Sequence, residues 1–87
     1  MVQVPATKKA ALMELAGGKG LAKKAAEQLY NKVYDEIEAT IKGSMTAMSL
    51  EEKQNTIINI MAQKSIPAST YSLFCRHLIN YFGGRSL

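Results

Sequence analysis

Apolar residues recur at helical spacing along most of the chain, and no segment shows a sustained two-residue alternation. The clearest pattern predicts a long amphipathic helix over about Leu21 to Lys42, ended by Gly43. Its apolar stripe comprises Leu21, Ala25, Leu29, Val33, Ile37 and Ile41, widened by Ala22, Ala26, Tyr30 and Tyr34. Polar residues, from Lys23 and Lys24 to Asp35 and Glu38, occupy the other face, so we interpret the stripe as core and both tyrosines as aromatics at the core edge.

The N-terminal part of the chain is less regular. Residues 8–16 predict a short helix that Gly17 and Gly18 stop, and residues 17–20 then form a hinge or turn. We also considered residues 17–20 as a phosphate cradle, but they lack the preceding strand and the spacing of a P-loop. The expected organisation is a flexible or partly helical segment over residues 1–16, followed by a single helical domain over residues 17–87.

Two further helices are expected in the second half. Ser49 and Glu52 have the spacing of a capping box, which starts a helix that continues to about Gln63. Pro67 breaks this helix and suits the first turn of the next one, which we expect over about Ala68 to Phe82. The predicted fold is therefore all-α, with three main helices and, over residues 8–16, the short fourth helix at the N-terminus as an option.

The last two predicted helices have the order of a helix-turn-helix unit. Ser65 would be the small residue at the turn, and Ile66 would fill the corner between the helices. Tyr71 and Phe74 would anchor the second helix in the core. Many such units have Ala in the first helix and Gly at the turn, where this chain has Met61 and Ser65. A helical hairpin with no role in DNA binding fits the same pattern.

Length and composition restrict the function classes. The chain has 87 residues, of which 47% are hydrophobic and 21% charged, so we expect one small folded domain. No apolar run approaches the roughly 18 residues that a membrane helix needs. One cysteine and one histidine leave almost nothing for a catalytic triad or a metal site, so we expect no enzyme, no cofactor and no metal. The single cysteine favours a reducing, cytoplasmic setting.

Positive charge is concentrated at both ends of the chain. The net charge is +4 over residues 1–32, −3 over residues 33–63 and +3 over residues 64–87, where no acidic residue occurs. Such asymmetry favours a polyanionic partner, with double-stranded DNA first. The alternative is that a small soluble protein simply has a basic isoelectric point.

The exposed face of the predicted last helix is small, polar and basic, as entry into a DNA groove requires. Arg76 could contact guanine or a phosphate, and the serines could donate to phosphates. The candidate DNA-contacting residues are Lys64, Ser69, Ser72, Arg76, His77, Asn80, Arg85, Lys19, Lys23 and Lys24. For the lysines the alternative is a solvated face, for His77 it is a surface or hydrogen-bonding role, and Cys75 is expected to be a buried, inert thiol.

The run from Tyr71 to Leu78, Tyr-Ser-Leu-Phe-Cys-Arg-His-Leu, resembles the Tyr-Ser-x-Phe-x-Arg-x-apolar segment of plasmid conjugation proteins of the TraK type. The segment Thr56–Met61 is similar to the helix that precedes it in that family, and the resemblance extends loosely over residues 35–82. It implies a small accessory protein of the relaxosome that binds DNA at the origin of transfer.

The leading hypothesis is therefore a small DNA-binding protein of a mobile element, acting as a transcription regulator or a conjugation accessory. A homodimer is expected, because the core is thin and dimers commonly match palindromic sites. The second hypothesis is a helical protein-interaction module, such as a phage- or plasmid-borne inhibitor or adaptor of a host protein. Its informative surface would be the acidic middle, with Asp35, Glu36, Glu38, Glu51 and Glu52.

Overall fold

The computed structural model describes residues 6–83, and these form four α-helices with no β-strand. The helices are α1 (Lys8–Lys19), α2 (Lys23–Lys42), α3 (Leu50–Gln63) and α4 (Ser72–Phe82). Helix α1 packs against α2 and α4, and α3 packs against the same two helices from the other side. The all-α prediction is thus confirmed, and the short N-terminal helix is present.

Helix α1 is longer than its sequence indicates. Thr7 starts it by accepting a hydrogen bond from the backbone N–H of Ala10 at 3.1 Å. The helix then continues through Gly17 and Gly18 to Lys19, and it is capped by Gly20, whose φ of +65° is the left-handed conformation of a helix C-cap. The prediction that the helix stops at Gly17 and that residues 17–20 form a hinge is therefore wrong. The predicted segment boundary at residue 16 lies inside α1.

Helix α2 begins two residues later than predicted and ends where it was expected, at Lys42. Its buried row is Ala26, Tyr30, Val33 and Ile37, while Leu29 and Ile41 are only partly buried. Tyr34 lies at the edge of this row and stacks on Tyr30 at 6.2 Å between ring centroids. Both tyrosines are therefore core and core-edge aromatics, as predicted.

Helix α3 starts with the predicted capping box. The Ser49 hydroxyl accepts from the backbone N–H of Glu52 at 3.1 Å, and the Glu52 carboxylate accepts from the backbone N–H of Ser49 at 2.8 Å. The bond from the Ser49 backbone N–H, followed by the effect of the nearby Ser49 hydroxyl, lowers the pKa of the Glu52 carboxyl. Ile57, Ile60 and Met61 carry the buried face of the helix.

The connection between α3 and α4 differs from the prediction. The backbone N–H groups of Thr70 and Tyr71 both donate to the carbonyl of Pro67 at 3.0 Å, which makes a separate turn. Helix α4 consequently begins at Ser72 rather than Ala68, and eight residues (64–71) separate the two helices. A helix-turn-helix unit has a turn of about three or four residues, so this connection is longer.

The reason for the late start of α4 lies in packing. The Ile66 side chain is fully buried and that of Tyr71 is 5% exposed, so both enter the core ahead of the helix. Ser65, just before them, has a positive φ of 60°, which turns the chain. The predicted roles of Ser65 at the turn, Ile66 in the corner and Tyr71 and Phe74 as buried anchors agree with this geometry.

The core is built by all four helices around Phe74, the largest of the completely buried side chains. Its members are apolar or aromatic, and no polar or charged residue among residues 6–83 is buried. Between Ala6 and Gly83, no helix has the length and hydrophobicity needed to cross a membrane.

Candidate functional site

The exposed side of α4 carries a row of three polar residues. Ser72, Arg76 and Asn80 follow one another at intervals of four, and all three are exposed. Helix α4 contains no acidic residue along its length. The structure therefore brings these three predicted site residues together on one surface, which we call the α4 row.

Ser69 does not belong to this helix. It is exposed on the turn that precedes α4, so the prediction that Ser69 shares a helical face with Ser72 and Arg76 is wrong. The cause is the turn at Pro67, which separates residues 68–71 from the helical repeat.

Lys19 connects two parts of the chain that are distant in sequence. Its Nζ donates to the backbone carbonyl of Ser65 and lies 5.9 Å from the ring centroid of Tyr71. The cation thus joins the C-terminal end of α1 to the turn before α4. It is a bridging residue at the end of the α4 row where Ser72 lies.

The other predicted cations are dispersed. Lys64 forms an ion pair with Glu36 of α2 at 3.0 Å, so it lies on the α2–α3 side of the molecule. Lys23 and Lys24 are exposed in the first turn of α2. Arg85 lies outside the described residues. The structure therefore does not gather the lysines around the α4 row.

His77 faces inward from α4. Its Nδ1 lies 3.2 Å from the carbonyl oxygen of Ala6, and its Nε2 lies 2.8 Å from the hydroxyl of Tyr30. Because a carbonyl can only accept, Nδ1 carries the proton, and the neutral ring accepts from the tyrosine at Nε2. Burial lowers the pKa of His77 against the opposing effect of the bond to Ala6, and nearby Lys8 lowers it further. The alternative of a hydrogen-bonding role fits this position.

Glu14 is a residue that the sequence reading did not single out. Its Oε1 accepts a hydrogen bond from the backbone N–H of Phe74 at 2.9 Å. Tyr71, the residue before α4, supplies no side-chain cap, so a glutamate from α1 takes that place. No local sequence signal indicates this, because the two residues are 60 positions apart.

Cys75 does not belong to the α4 row. Cys75 is a buried free cysteine, and burial raises its thiol pKa, which favours the unreactive protonated form. Among the residues with described positions, no three His, Cys, Asp or Glu side chains cluster as metal ligands would.

Comparisons of the chain with protein-family models, with curated proteins and with solved structures yield no match. The chemistry of the exposed surfaces is thus the basis for an assignment of function.

Proposed function

We propose that the protein binds double-stranded DNA through the α4 row, with its last two helices acting as a helix-turn-helix-like unit. The observation that carries the proposal is the α4 row itself. A helix face that is exposed, polar, basic and without acidic residues suits insertion into a major groove about 12 Å wide. In this arrangement Arg76 contacts base edges or a phosphate, and Ser72 and Asn80 donate to the same strand.

The Glu14 contact restricts how phosphates are held. Helix N-termini commonly bind phosphate through their unpaired N–H groups, but the N–H of Phe74 in the first turn of α4 already donates to a carboxylate. The phosphate contacts therefore fall to cationic side chains. The candidates are Lys19, whose Nζ donates to the Ser65 carbonyl in the turn before α4, and Lys23 and Lys24 in the first turn of α2.

The biological setting is a mobile genetic element, where the protein acts as a transcription regulator or as an accessory of conjugation. This part of the proposal depends on the resemblance of the run from Tyr71 to Leu78 to TraK-type proteins. A homodimer would present two α4 rows to a palindromic site.

The first test is a fluorescence-anisotropy titration with a random duplex at two salt concentrations. About four phosphate contacts would lower the affinity about 100-fold between roughly 50 and 200 mM salt, since counterion release sets the slope. Sedimentation of the same samples gives the oligomeric state. Affinity that does not change with salt would contradict the proposal.

The second test assigns the surface. Arg76→Ala should weaken binding by about 1–3 kcal/mol if the side chain reads a base, and Arg76→Lys should restore binding only if the contact is to a phosphate. Lys42→Ala is the matched control, because it removes one positive charge from a side chain that is 76% exposed at the end of α2. Equal losses in Arg76→Ala and Lys42→Ala would show that only net charge matters.

A further inference from the structure

A surface groove of about 540 Å³ runs between α1 and α2. Its floor is apolar and consists of Leu12, Met13 and Ala16 of α1 and Ala26 of α2. Met13 is 65% exposed, so a large apolar side chain faces solvent within this groove.

Positive side chains border both ends of the groove. Lys8 and Lys9 lie at the start of α1, and Lys23 lies at the start of α2. Because Lys8 contacts the Tyr30 ring while Leu21 bonds to Ala16, the two helices run antiparallel, and Lys23 lies at the opposite end from Lys8 and Lys9. One acidic residue, Glu27, also lines the groove. The border is therefore predominantly positive.

We propose that this groove is a docking site for an acidic amphipathic helix of a partner protein. The apolar stripe of such a helix would pack on the floor between α1 and α2, and its Asp or Glu residues would meet the lysines at both ends. The lining of the groove, border included, extends along α1 from Lys9 to Ala16, which is about 10 Å of helix, or two turns. The floor shares no residue with the α4 row, and Lys23 is the one lining residue that the DNA-binding proposal also uses.

The shape of the groove favours a helix over a small molecule. Pockets for small ligands cover about 70–90% of the ligand surface. This groove is too open for that, as the exposure of Met13 shows. Methionine also adapts to different apolar surfaces, a property that helix-binding proteins use to accommodate their targets.

The test uses a fluorescein-labelled peptide of about 18 residues, long enough to form a helix. The peptide has Leu at the i, i+3, i+4 and i+7 positions of one face and Glu on the other faces. A scrambled peptide of the same composition and a peptide with Lys in place of Glu are the controls. We expect micromolar binding of the first peptide only. Equal binding of the scrambled peptide would reveal simple polyanion binding and overturn the proposal, as would equal binding of the Lys peptide or no binding at all.

A pair of methionine variants locates the binding. Met13→Asp places a negative charge on the floor and should weaken peptide binding at least about 10-fold. Met45→Asp makes the same change at a methionine that is 99% exposed between α2 and α3, and it should leave binding unchanged. Circular dichroism of both variants checks the fold. Equal affinities of Met13→Asp and wild type would place the peptide elsewhere and refute the docking site.

Two further measurements separate competing occupants. If sedimentation shows self-association that Met13→Asp abolishes, the groove binds a second copy of the chain, and the partner proposal is wrong.

Lys9→Glu should weaken peptide binding more than Lys32→Glu, which makes the same charge change on α2 outside the groove. Equal effects of these two variants would remove the role of the border lysines. The failure of DNA binding in Arg76→Ala has no bearing on any of these results.

Discussion

The carboxylate of Glu14 accepts a hydrogen bond from the backbone N–H of Phe74, although 60 positions separate the two residues. A side chain of the first helix thereby caps the last helix. Caps of this kind contribute about 0.5–2 kcal/mol, and the negative charge also interacts favourably with the positive end of the helix dipole.

Removal of this cap should destabilise the fold. We expect Glu14→Ala to lower the free energy of unfolding by about 1–2 kcal/mol, because it leaves a part-buried N–H unpaired. Glu14→Gln keeps an acceptor and should lose less. Urea denaturation measures both, and Glu27→Ala, at an exposed glutamate of α2, is the control. A loss in Glu14→Ala no larger than the control's would mean that the contact contributes nothing.

The adjacent glycines of α1 should respond oppositely to the same substitution. A Cβ at Gly17 meets nothing within 4 Å, so Gly17→Ala should raise the free energy of unfolding by about 0.5–1 kcal/mol. A Cβ at Gly18 would lie 2.4 Å from the Tyr71 ring, which is itself buried. Gly18→Ala should therefore lose about 1–3 kcal/mol. Two variants of equal stability, compared by urea denaturation, would disprove the close packing of α1 on Tyr71.

Ser65 should tolerate glycine and resist a β-branched residue. Its φ of 60° is costly for most side chains but not for glycine, and its own side chain is exposed. We expect Ser65→Gly to be as stable as the wild type or up to about 1 kcal/mol more stable, and Ser65→Val to lose about 1–2 kcal/mol. Thermal unfolding of the three proteins is sufficient. A more stable Val variant would contradict a left-handed turn at this position.

The free energy of unfolding should decrease as the pH is lowered, because His77 becomes protonated. Its pKa in the folded chain lies below the ordinary value of 6.5, mainly because of burial. The folded state therefore binds a proton less readily than the unfolded state. This contribution to stability is complete above about pH 6.5 and is lost as pH falls through the folded-state pKa.

Urea midpoints of the wild type and His77→Gln between about pH 7.5 and pH 5.5 measure this contribution, since the carboxyl groups titrate at lower pH. The variant should show a smaller decline. Since His77 is the single histidine of the chain, its ring signal in a proton NMR titration reports the folded-state pKa without ambiguity. A folded-state pKa above 6.5 would reverse the expected direction.

Local signals gave accurate predictions of structure. The capping box at Ser49 and Glu52 places the start of α3 correctly, since both of its bonds lie within four residues. The periodicity of α2 likewise gives its end at Lys42. The all-α class follows from these local preferences, because helices make their backbone hydrogen bonds within one segment.

The errors arose where tertiary contacts override local preferences. Gly17 and Gly18 normally end a helix, but here Gly18 provides the space that the Tyr71 ring occupies. Pro67 normally begins a helix, but here it closes a turn that lets Tyr71 enter the core. The partners of Glu14 and Lys19 lie in other helices, so the roles of these residues could not be read from neighbouring positions.

The packing of α1 against α4 also determines the order of events during synthesis. Ala11 and Leu15 of α1 belong to the same core as Leu78 of α4. At roughly 5–20 residues per second, the ribosome needs about 3–12 s to make the 60 residues between Glu14 and Phe74. During that interval α2 alone can cover the apolar face of α1. Helix α1 is thus made well before α4, the helix that completes its packing environment.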